Sequence, residues 1–256
     1  MIKKVSVLVI TGLTFLSFQF NDLTIKENSW DYLNLNGKVK SVRQIKYKPG
    51  PDTSRIYKGS NPRRMVNVFL LSLSEDFHMD NSLVKFSKKG RITEWIDYNS
   101  SREPEDTLTF IYSKDSKLPD KIVQKIYGKT AFTIRYKYDT KNRKKKSMYI
   151  GSRRELKALH DYSEKKKIKD EFIFNKNSTV MTYKKINDTE VASNFYSADN
   201  ELMKSDTMIF NNQNNVTRKG RVSFEYKYDD QGNWIVRKEY ANDKLQYIYE
   251  RKIAYY

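Results

Sequence analysis

Residues 222–235 read VSFEYKYDDQGNWI and contain the clearest strand-and-turn pattern of the chain. Every second residue from Val222 to Tyr228 is apolar or aromatic, and serine, glutamate and lysine stand between them. This two-residue period is typical of a β-strand with one apolar face. The next five residues, DDQGN, favour a turn, because aspartate accepts hydrogen bonds from nearby backbone and glycine adopts a positive φ. The stretch therefore predicts a hairpin whose second strand begins at Trp234.

Weaker copies of the same pattern recur along the chain, and they follow Phe86, Tyr138, Tyr162, Tyr196 and Phe210. Each copy has an aromatic residue, a polar residue, two variable residues, a Gly, Asn or Lys, and then a strand-forming residue. Phe86, Tyr112, Tyr138 and Tyr162 lie 26, 26 and 24 residues apart. Such recurrence indicates stacked hairpins that bury their apolar faces against one another. We therefore predict a mainly β fold: an antiparallel meander of stacked hairpins forming a curved sheet or partial barrel, with one or two short helices.

Two segments favour the short helices, namely residues 153–160, RRELKALH, and residues 28–35. Two loops interrupt the hairpins, at residues 48–62 and 99–106, because both contain prolines that break regular elements. No linker divides the chain. We therefore predict a single β-repeat domain over residues 21–256.

The first twenty residues predict a signal sequence. Lys3 and Lys4 form a short basic start, and the run from Val5 to Phe18 is uncharged and mainly apolar. A run of roughly 14 residues suits a signal-peptide core and is shorter than the roughly 20 residues that span a bilayer. The alternative interpretations are a buried first strand, a core helix or an uncleaved anchor. We expect residues 1–20 to direct export to the periplasm, the outer envelope or the extracellular space, with no stable membrane span after them.

Composition excludes several chemistries. The 256 residues include no cysteine, which excludes disulfides, cysteine-ligated zinc, iron–sulfur clusters and thiol nucleophiles. The chain has 19 tyrosines and 9 glycines, which favours strands with one solvent-exposed face. The 49 Lys and Arg residues outnumber 31 Asp and Glu residues, for a formal charge of +18. This excess favours contact with polyanions, although lysines on solvent faces and hairpin edges also keep a β-protein soluble.

The stretch YKYDDQGNW at residues 226–234 and the shorter YKYD at residues 136–139 resemble the YD repeats of the RHS family. The opening LNGKVKSV at residues 35–42 resembles the first strand of small exported bacterial proteins that carry a few degenerate copies. The family motif has tyrosine followed by aspartate, with glycine three residues later, and only the copy with Asp229 and Gly232 keeps both. The resemblance implies a curved antiparallel sheet or partial barrel, and it implies no particular activity.

No catalytic or metal-binding motif stands out. The two histidines, His78 and His160, lie in neither an HExxH nor a His-x-His pattern. The chain has no Gly-x-Ser-x-Gly elbow and no glycine-rich phosphate loop. The acidic residues of 103–106 indicate a solvated loop, and the pair Asp229 and Asp230 indicates a turn. We therefore predict no catalytic residue, no metal site and no cofactor.

Two basic runs suggest a binding surface: KNRKKK at residues 141–146 and KKKIK at residues 165–169. Both fall at predicted hairpin turns, so stacking in register would place them at one rim as a positive patch. Nearby tyrosines could stack on bases or sugars, or could instead form cross-strand pairs within the sheet. The candidate binding residues are Lys144, Lys145, Lys146, Lys165, Lys166, Lys167, Tyr138 and Tyr162.

Three functions fit these observations. The first is a non-enzymatic exported protein whose β-repeat scaffold serves binding or cell-envelope structure, because a repeat sheet presents a broad surface. The second is a polyanion- or polysaccharide-binding module that uses the basic rim from Lys141 to Lys169. The third is a hydrolase of envelope polymers, which would need carboxylates clustered in a pocket. The expected partner is an anionic polymer or an envelope component.

Overall fold

A computed structural model describes residues 33–51, 55–57, 80–113, 116, 118–138, 144–151, 155–163, 166–174 and 177–256. Nearly all regular structure in these residues is β-strand, and paired strands run antiparallel. The prediction of a mainly β, antiparallel fold is confirmed. The strands are β1 (Val39–Pro49), β2 (Arg55–Tyr57), β3 (Ser82–Phe86), β4 (Ile92–Tyr98), β5 (Pro104–Ile111), β6 (Lys121–Ile126), β7 (Lys129–Tyr138), β8 (Lys144–Gly151), β9 (Glu155–Ser163), β10 (Lys166–Phe174), β11 (Asn177–Lys185), β12 (Glu190–Tyr196), β13 (Leu202–Phe210), β14 (Val216–Lys219), β15 (Val222–Tyr228), β16 (Trp234–Ala241) and β17 (Lys244–Tyr255).

The first strand joins the two ends of the sheet. From β3 to β17 each strand pairs with the next one along the chain, which is the predicted meander. β1 pairs with β17 on one side and with β3 and the short β2 on the other. The sheet therefore curves round until its first and last strands meet. The pairing is shortest at β14, which has four residues and pairs with β15 through two residue pairs.

Successive turns alternate between two rims of the curved sheet, because each strand reverses the direction of the one before it. We call the rim with turns 87–91 and 229–233 the upper rim, and the opposite one, with turns 99–103 and 197–201, the lower rim. The inside of the curve is the buried face. Two apolar clusters fill it, one centred on β1 and β3–β7 and one on β11–β15. Segment 33–38 crosses the upper rim and buries Leu33 and Leu35 in the first cluster.

A five-residue turn recurs with the same hydrogen bonds at residues 87–91, 99–103, 197–201, 211–215 and 229–233. Its first residue is Ser, Asn or Asp, whose N–H donates to the carbonyl of the fifth residue and whose carbonyl accepts from the fourth. The side-chain oxygen of the first residue accepts from the N–H of the fifth. The fourth residue adopts a positive φ in all five copies: Gly90, Arg102, Asn200, Asn214 and Gly232.

Each of these turns follows an aromatic residue that pairs with the residue six positions later, as Tyr228 pairs with Trp234. The order of aromatic, polar turn and strand that the sequence predicts after Phe86, Tyr196, Phe210 and Tyr228 is therefore confirmed. The turn after Tyr98 is a further copy. Turn residues 139–143 and 164–165, in the predicted copies after Tyr138 and Tyr162, lie outside the described residues.

The turn at Asp229 also fastens the two ends of the domain together. Asp229 Oδ1 accepts from the N–H groups of Gln231 at 3.0 Å and Asn233 at 2.9 Å, and Oδ2 accepts from the Tyr255 hydroxyl at 2.6 Å. Asn233 Oδ1 accepts from the Asn36 N–H at 2.7 Å, while its Nδ2 donates to the Asn36 carbonyl at 2.9 Å. One turn thus holds both the segment before β1 and the end of β17.

The helix predicted at residues 153–160 is wrong. Residues 155–160 belong to β9, which pairs with β8 and β10. Local helix propensity is a weak signal, and the hydrogen bonds offered by two neighbouring strands outweigh it. The loop predicted at residues 99–106 ends earlier, because β5 begins at Pro104, where a missing N–H is tolerated at a strand start.

Two other sequence predictions lie outside the described residues. They are the signal sequence at residues 1–20 and most of the helix at residues 28–35, of which Leu33 and Asn34 are described as a turn. The described part of the chain contains no helix that is both long and apolar enough to cross a membrane.

Replacing Asp229 by alanine should destabilise the protein, because two backbone N–H groups and the Tyr255 hydroxyl lose their acceptor. We expect the free energy of unfolding to fall by about 1–2 kcal/mol in urea denaturation. Asp230→Ala is the matched control, since Asp230 is exposed in the same turn. Its effect should stay within about 0.5 kcal/mol. Equal losses in the two variants would contradict the role given to Asp229.

Candidate functional site

Polar side chains form a row across the buried face, beside the first apolar cluster. They occupy directly paired positions on five adjacent strands: Arg251 of β17, Gln44 of β1, Ser82 of β3, Asp97 of β4 and Asp106 of β5. We call these five residues the polar row. All of them are buried, with exposed fractions between 0% and 7%. The polar row has a basic end at Arg251 and an acidic end at the two aspartates.

The acidic end holds two buried carboxyl groups on neighbouring strands. Asp97 Oδ1 accepts from the Ser82 hydroxyl and, at 3.0 Å, from the indole N–H of Trp95. Asp106 Oδ2 accepts from the side-chain amide of Gln124, while its Oδ1 has no hydrogen-bond partner among the described residues.

Both carboxyl groups bind protons more tightly than exposed ones. Burial raises the pKa of Asp97 from the ordinary 3.8 to about 7, although hydrogen bonds from Ser82 and Trp95 oppose the rise. Burial, followed by the negative charge of Asp97, raises the pKa of Asp106 to about 7. Two interacting carboxyl groups of this kind titrate as a pair near neutral pH.

A buried ion pair borders the polar row on its lower side. Lys46 Nζ lies 2.9 Å from Asp80 Oδ1 and 4.0 Å from the centre of the Tyr247 ring. Asn81 Oδ1 accepts from the N–H of Lys46 at 3.1 Å, which holds the segment before β3 against β1. Asp80 thus neutralises Lys46 locally, and its negative charge adds to the rise in the pKa of Asp97.

The basic end contains two buried arginines around one indole ring. Arg251 Nε donates to Gln44 Oε1 at 2.9 Å, and its guanidinium carbon lies 3.4 Å from the centre of the Trp234 ring. Arg237 of β16 lies 4.1 Å from the Tyr249 ring and 5.3 Å from the Trp234 ring. Burial, followed by the charge of Arg237, lowers the pKa of Arg251. Contacts with aromatic rings offset part of the cost of removing these cations from water.

Burial limits the chemistry of the polar row. Asp97 is 3% exposed and Asp106 is fully buried, so neither presents an oxygen to a polymer at the protein surface. A glycosidase pair would need both carboxyl groups to face a cleft that admits substrate. In the part of the chain that the structure describes, no group of three or more His, Cys, Asp or Glu side chains is placed to hold a metal ion. The two carboxyl groups of the row can instead hold protons near neutral pH.

The structure brings the two predicted basic runs to the same rim. Lys144, Lys145 and Lys146 begin β8, and Lys166 and Lys167 begin β10. Both strand starts lie at the upper rim, separated by β9. Lys165 lies outside the described residues. Polyanion binding by this rim stays a prediction.

The two predicted tyrosines lie near the same rim. Tyr138 ends β7 and is half-buried, and its hydroxyl donates to the Pro119 carbonyl at 2.7 Å. Its ring lies 6.2 Å from that of Tyr136 and packs against the first apolar cluster. Tyr138 therefore contributes to the sheet interior, which is the alternative role that the sequence left open. Tyr162 lies on β9 and pairs with Lys167.

The sequence patterns do not predict the polar row, although they contain a signal for it. Gln44 stands at an inward position between Val42 and Lys46, and Arg251 stands at one between Tyr249 and Ile253. A polar residue at a position where the two-residue alternation of a strand calls for an apolar one indicates a buried polar group.

The solvated loop predicted at residues 103–106 is wrong for Asp106. This residue belongs to β5 and is buried on the inner face of the sheet. An acidic run in the sequence suggests solvent exposure, but only the alternation of the strand assigns one of its members to the interior.

Comparison with known proteins shows the fold alone. No family model matches the sequence, and no curated protein matches it. A crystal structure of a porin-like protein from Bacteroides uniformis superposes with a TM-score of 0.54 at 9% identity, over 86% of this chain and 98% of that chain.

Two other solved structures are less similar to this chain. A porin-like protein from Bacteroides vulgatus gives a TM-score of 0.37 at 11% identity, over 84% of this chain and 98% of that chain. A Tc holotoxin pore structure from Photorhabdus luminescens gives 0.15 at 8% identity, over 70% of this chain and 15% of that chain.

Replacing Asp97 by asparagine should change how stability depends on pH. The folded-state pKa of Asp97 is raised from 3.8 to about 7, so its contribution to stability is fully present below 3.8 and is lost as pH rises through 7. Asparagine resembles the protonated acid and cannot ionise. At a pH of about 8 we expect Asp97→Asn to be more stable than the native protein by about 2–4 kcal/mol, and the advantage should shrink at a pH of about 5.

Urea denaturation at the two pH values measures this effect. The matched control is Asp199→Asn, because Asp199 is exposed in the turn at residues 197–201. Its small effect should be the same at both pH values. A constant difference between Asp97→Asn and the native protein would show that Asp97 ionises as an ordinary carboxylate.

Proposed function

We propose that the protein is an exported, non-enzymatic β scaffold that serves binding or structure in a bacterial cell envelope and is built from degenerate YD-like hairpins. The observation that carries the proposal is the five-residue turn, which recurs with the same hydrogen bonds at five places. A repeated hairpin extends a sheet without adding any reactive group. The repeats therefore provide an extended surface. The fold shared with the porin-like protein from Bacteroides uniformis supports an envelope location.

Export can be tested by expressing the full chain in a Gram-negative host, separating the cell fractions and measuring the mass of the protein. We expect a mature chain that lacks about 20 N-terminal residues and accumulates outside the cytoplasm. Val9→Arg places a charge in the apolar core of the predicted signal and should retain the chain inside the cell. Asn61→Arg adds the same charge elsewhere and should be exported. Recovery of native full-length chain from the cytoplasm would refute the export proposal.

A second candidate function is polyanion binding at the upper rim. The observation that favours it is the shared position of the strand starts at Lys144 and Lys166. Cations grouped at one edge produce a stronger local potential than the same charges spread over the molecule. An anionic polymer that follows the rim would contact both runs.

Heparin affinity measured at several salt concentrations tests this function. Changing Lys144, Lys146, Lys166 and Lys167 to serine should weaken binding by at least about tenfold and flatten its salt dependence. The matched control changes four lysines near the lower rim to serine: Lys125, Lys129, Lys204 and Lys244. The control removes the same charge and should weaken binding much less. An equal loss of heparin affinity in the two variants would show that binding depends on net charge and not on the upper rim. A heparin affinity that does not change with salt would exclude the polyanion site.

A further inference from the structure

We propose that the basic end of the polar row is a binding site for a small oxyanion, which Arg251 and Gln44 hold between them. The two residues are direct cross-strand partners on β17 and β1. The site lies on the buried face of the sheet on β17 and β1, whereas the basic runs lie on β8 and β10. The proposal does not depend on the scaffold function.

Two hydrogen-bond donors remain available at this site. Arg251 Nε donates to Gln44 Oε1 at 2.9 Å, which fixes the two side chains relative to each other. Arg251 Nη1 and Gln44 Nε2 are both buried and have no hydrogen-bond partner among the described residues. Both atoms are donors, so the ligand that satisfies them must supply acceptors. Both donors belong to residues that are paired across β17 and β1, and two oxygens of one carboxylate, phosphate or sulfate can accept from two such donors.

The buried guanidinium of Arg251 carries a positive charge. Arg251 is 7% exposed and no carboxylate among the described residues pairs with it. Its guanidinium carbon lies 3.4 Å from the centre of the Trp234 ring, and the Arg237 guanidinium lies 5.3 Å from the same ring. Two like charges thus lie near one indole ring, and all three side chains are buried. An isolated buried cation is costly, and an aromatic ring returns only part of that cost.

Some of the buried charges nearby are already neutralised. Lys46, a further buried cation, pairs with Asp80 at 2.9 Å. Asp97 and Asp106 lie at the far end of the polar row, beyond Gln44 and Ser82. An anion bound at Gln44 and Arg251 would therefore supply negative charge beside the Arg251 guanidinium. The burial of the site restricts the ligand to a small ion or to the terminal group of a larger molecule.

Thermal unfolding in defined anions tests the site. The native protein is exchanged into chloride buffer at a pH of about 7.5 and titrated with phosphate, sulfate or acetate at constant ionic strength. We expect a saturable rise in Tm of about 2–4 °C at about 10 mM of the preferred anion. Comparison of the three anions identifies whether a phosphate-like ion or a carboxylate is preferred. The absence of a saturable rise with all three anions would overturn the proposal.

Substitutions then assign the effect to the site. Arg251→Met removes the cation and should abolish the rise in Tm. Arg218→Met is the matched control, since Arg218 is exposed on β14, and it should keep the full rise. An equal rise in both variants would place the anion elsewhere and would overturn the proposal.

Gln44→Glu keeps the test decisive if Arg251→Met fails to fold. It introduces a carboxylate beside Arg251 that takes the place of the ligand. We expect this variant to melt at a higher temperature than the native protein in chloride and to lose its response to the oxyanions. A variant that is less stable in chloride and still responds to phosphate as the native protein does would overturn the proposal.

Discussion

The pairing of β1 with both β17 and β3 is the constraint on which the rest of the structure depends. It joins parts of the chain that are far apart in sequence, since the hydrogen bond between Arg251 and Gln44 spans 207 positions. An unpaired β1 would leave backbone N–H and C=O groups exposed along two sheet edges. It would also open the inner face to water. The apolar clusters and the buried polar row both require that this strand has partners on its two sides.

Burying a charged group costs free energy, and the two ends of the polar row reduce this cost in different ways. Burial raises the pKa of both aspartates to about 7, so each can stay protonated and uncharged at a lower pH. Arginine loses its proton far less readily, so Arg251 instead lies against Trp234 and donates to Gln44. Gln44 and Ser82 stand between the ends, which prevents a direct ion pair along the row. The charge of the row therefore lies at its Arg251 end.

Turn chemistry was the most predictable part of the fold because it depends on neighbouring residues. An acceptor side chain at the first turn position, as at Asp229, satisfies N–H groups two and four residues later. A glycine such as Gly232 adopts the positive φ that the fourth position needs. Prediction failed where distant strands intervened. Residues 155–160 form a strand because β8 and β10 flank them, and Asp106 is buried because β4 and β6 hold β5 in the sheet.

Local sequence patterns predict most of the strands and several of the turns, since each depends on contacts within a few residues. They also predict that the basic runs lie at hairpin ends on one rim. No local pattern predicts that β1 lies between β17 and β3, and hence that the residues of the polar row are neighbours: Arg251, Gln44, Ser82, Asp97 and Asp106. The physical reason is that local patterns define which face of a strand is buried. Which strand lies opposite depends on the closure of the whole sheet.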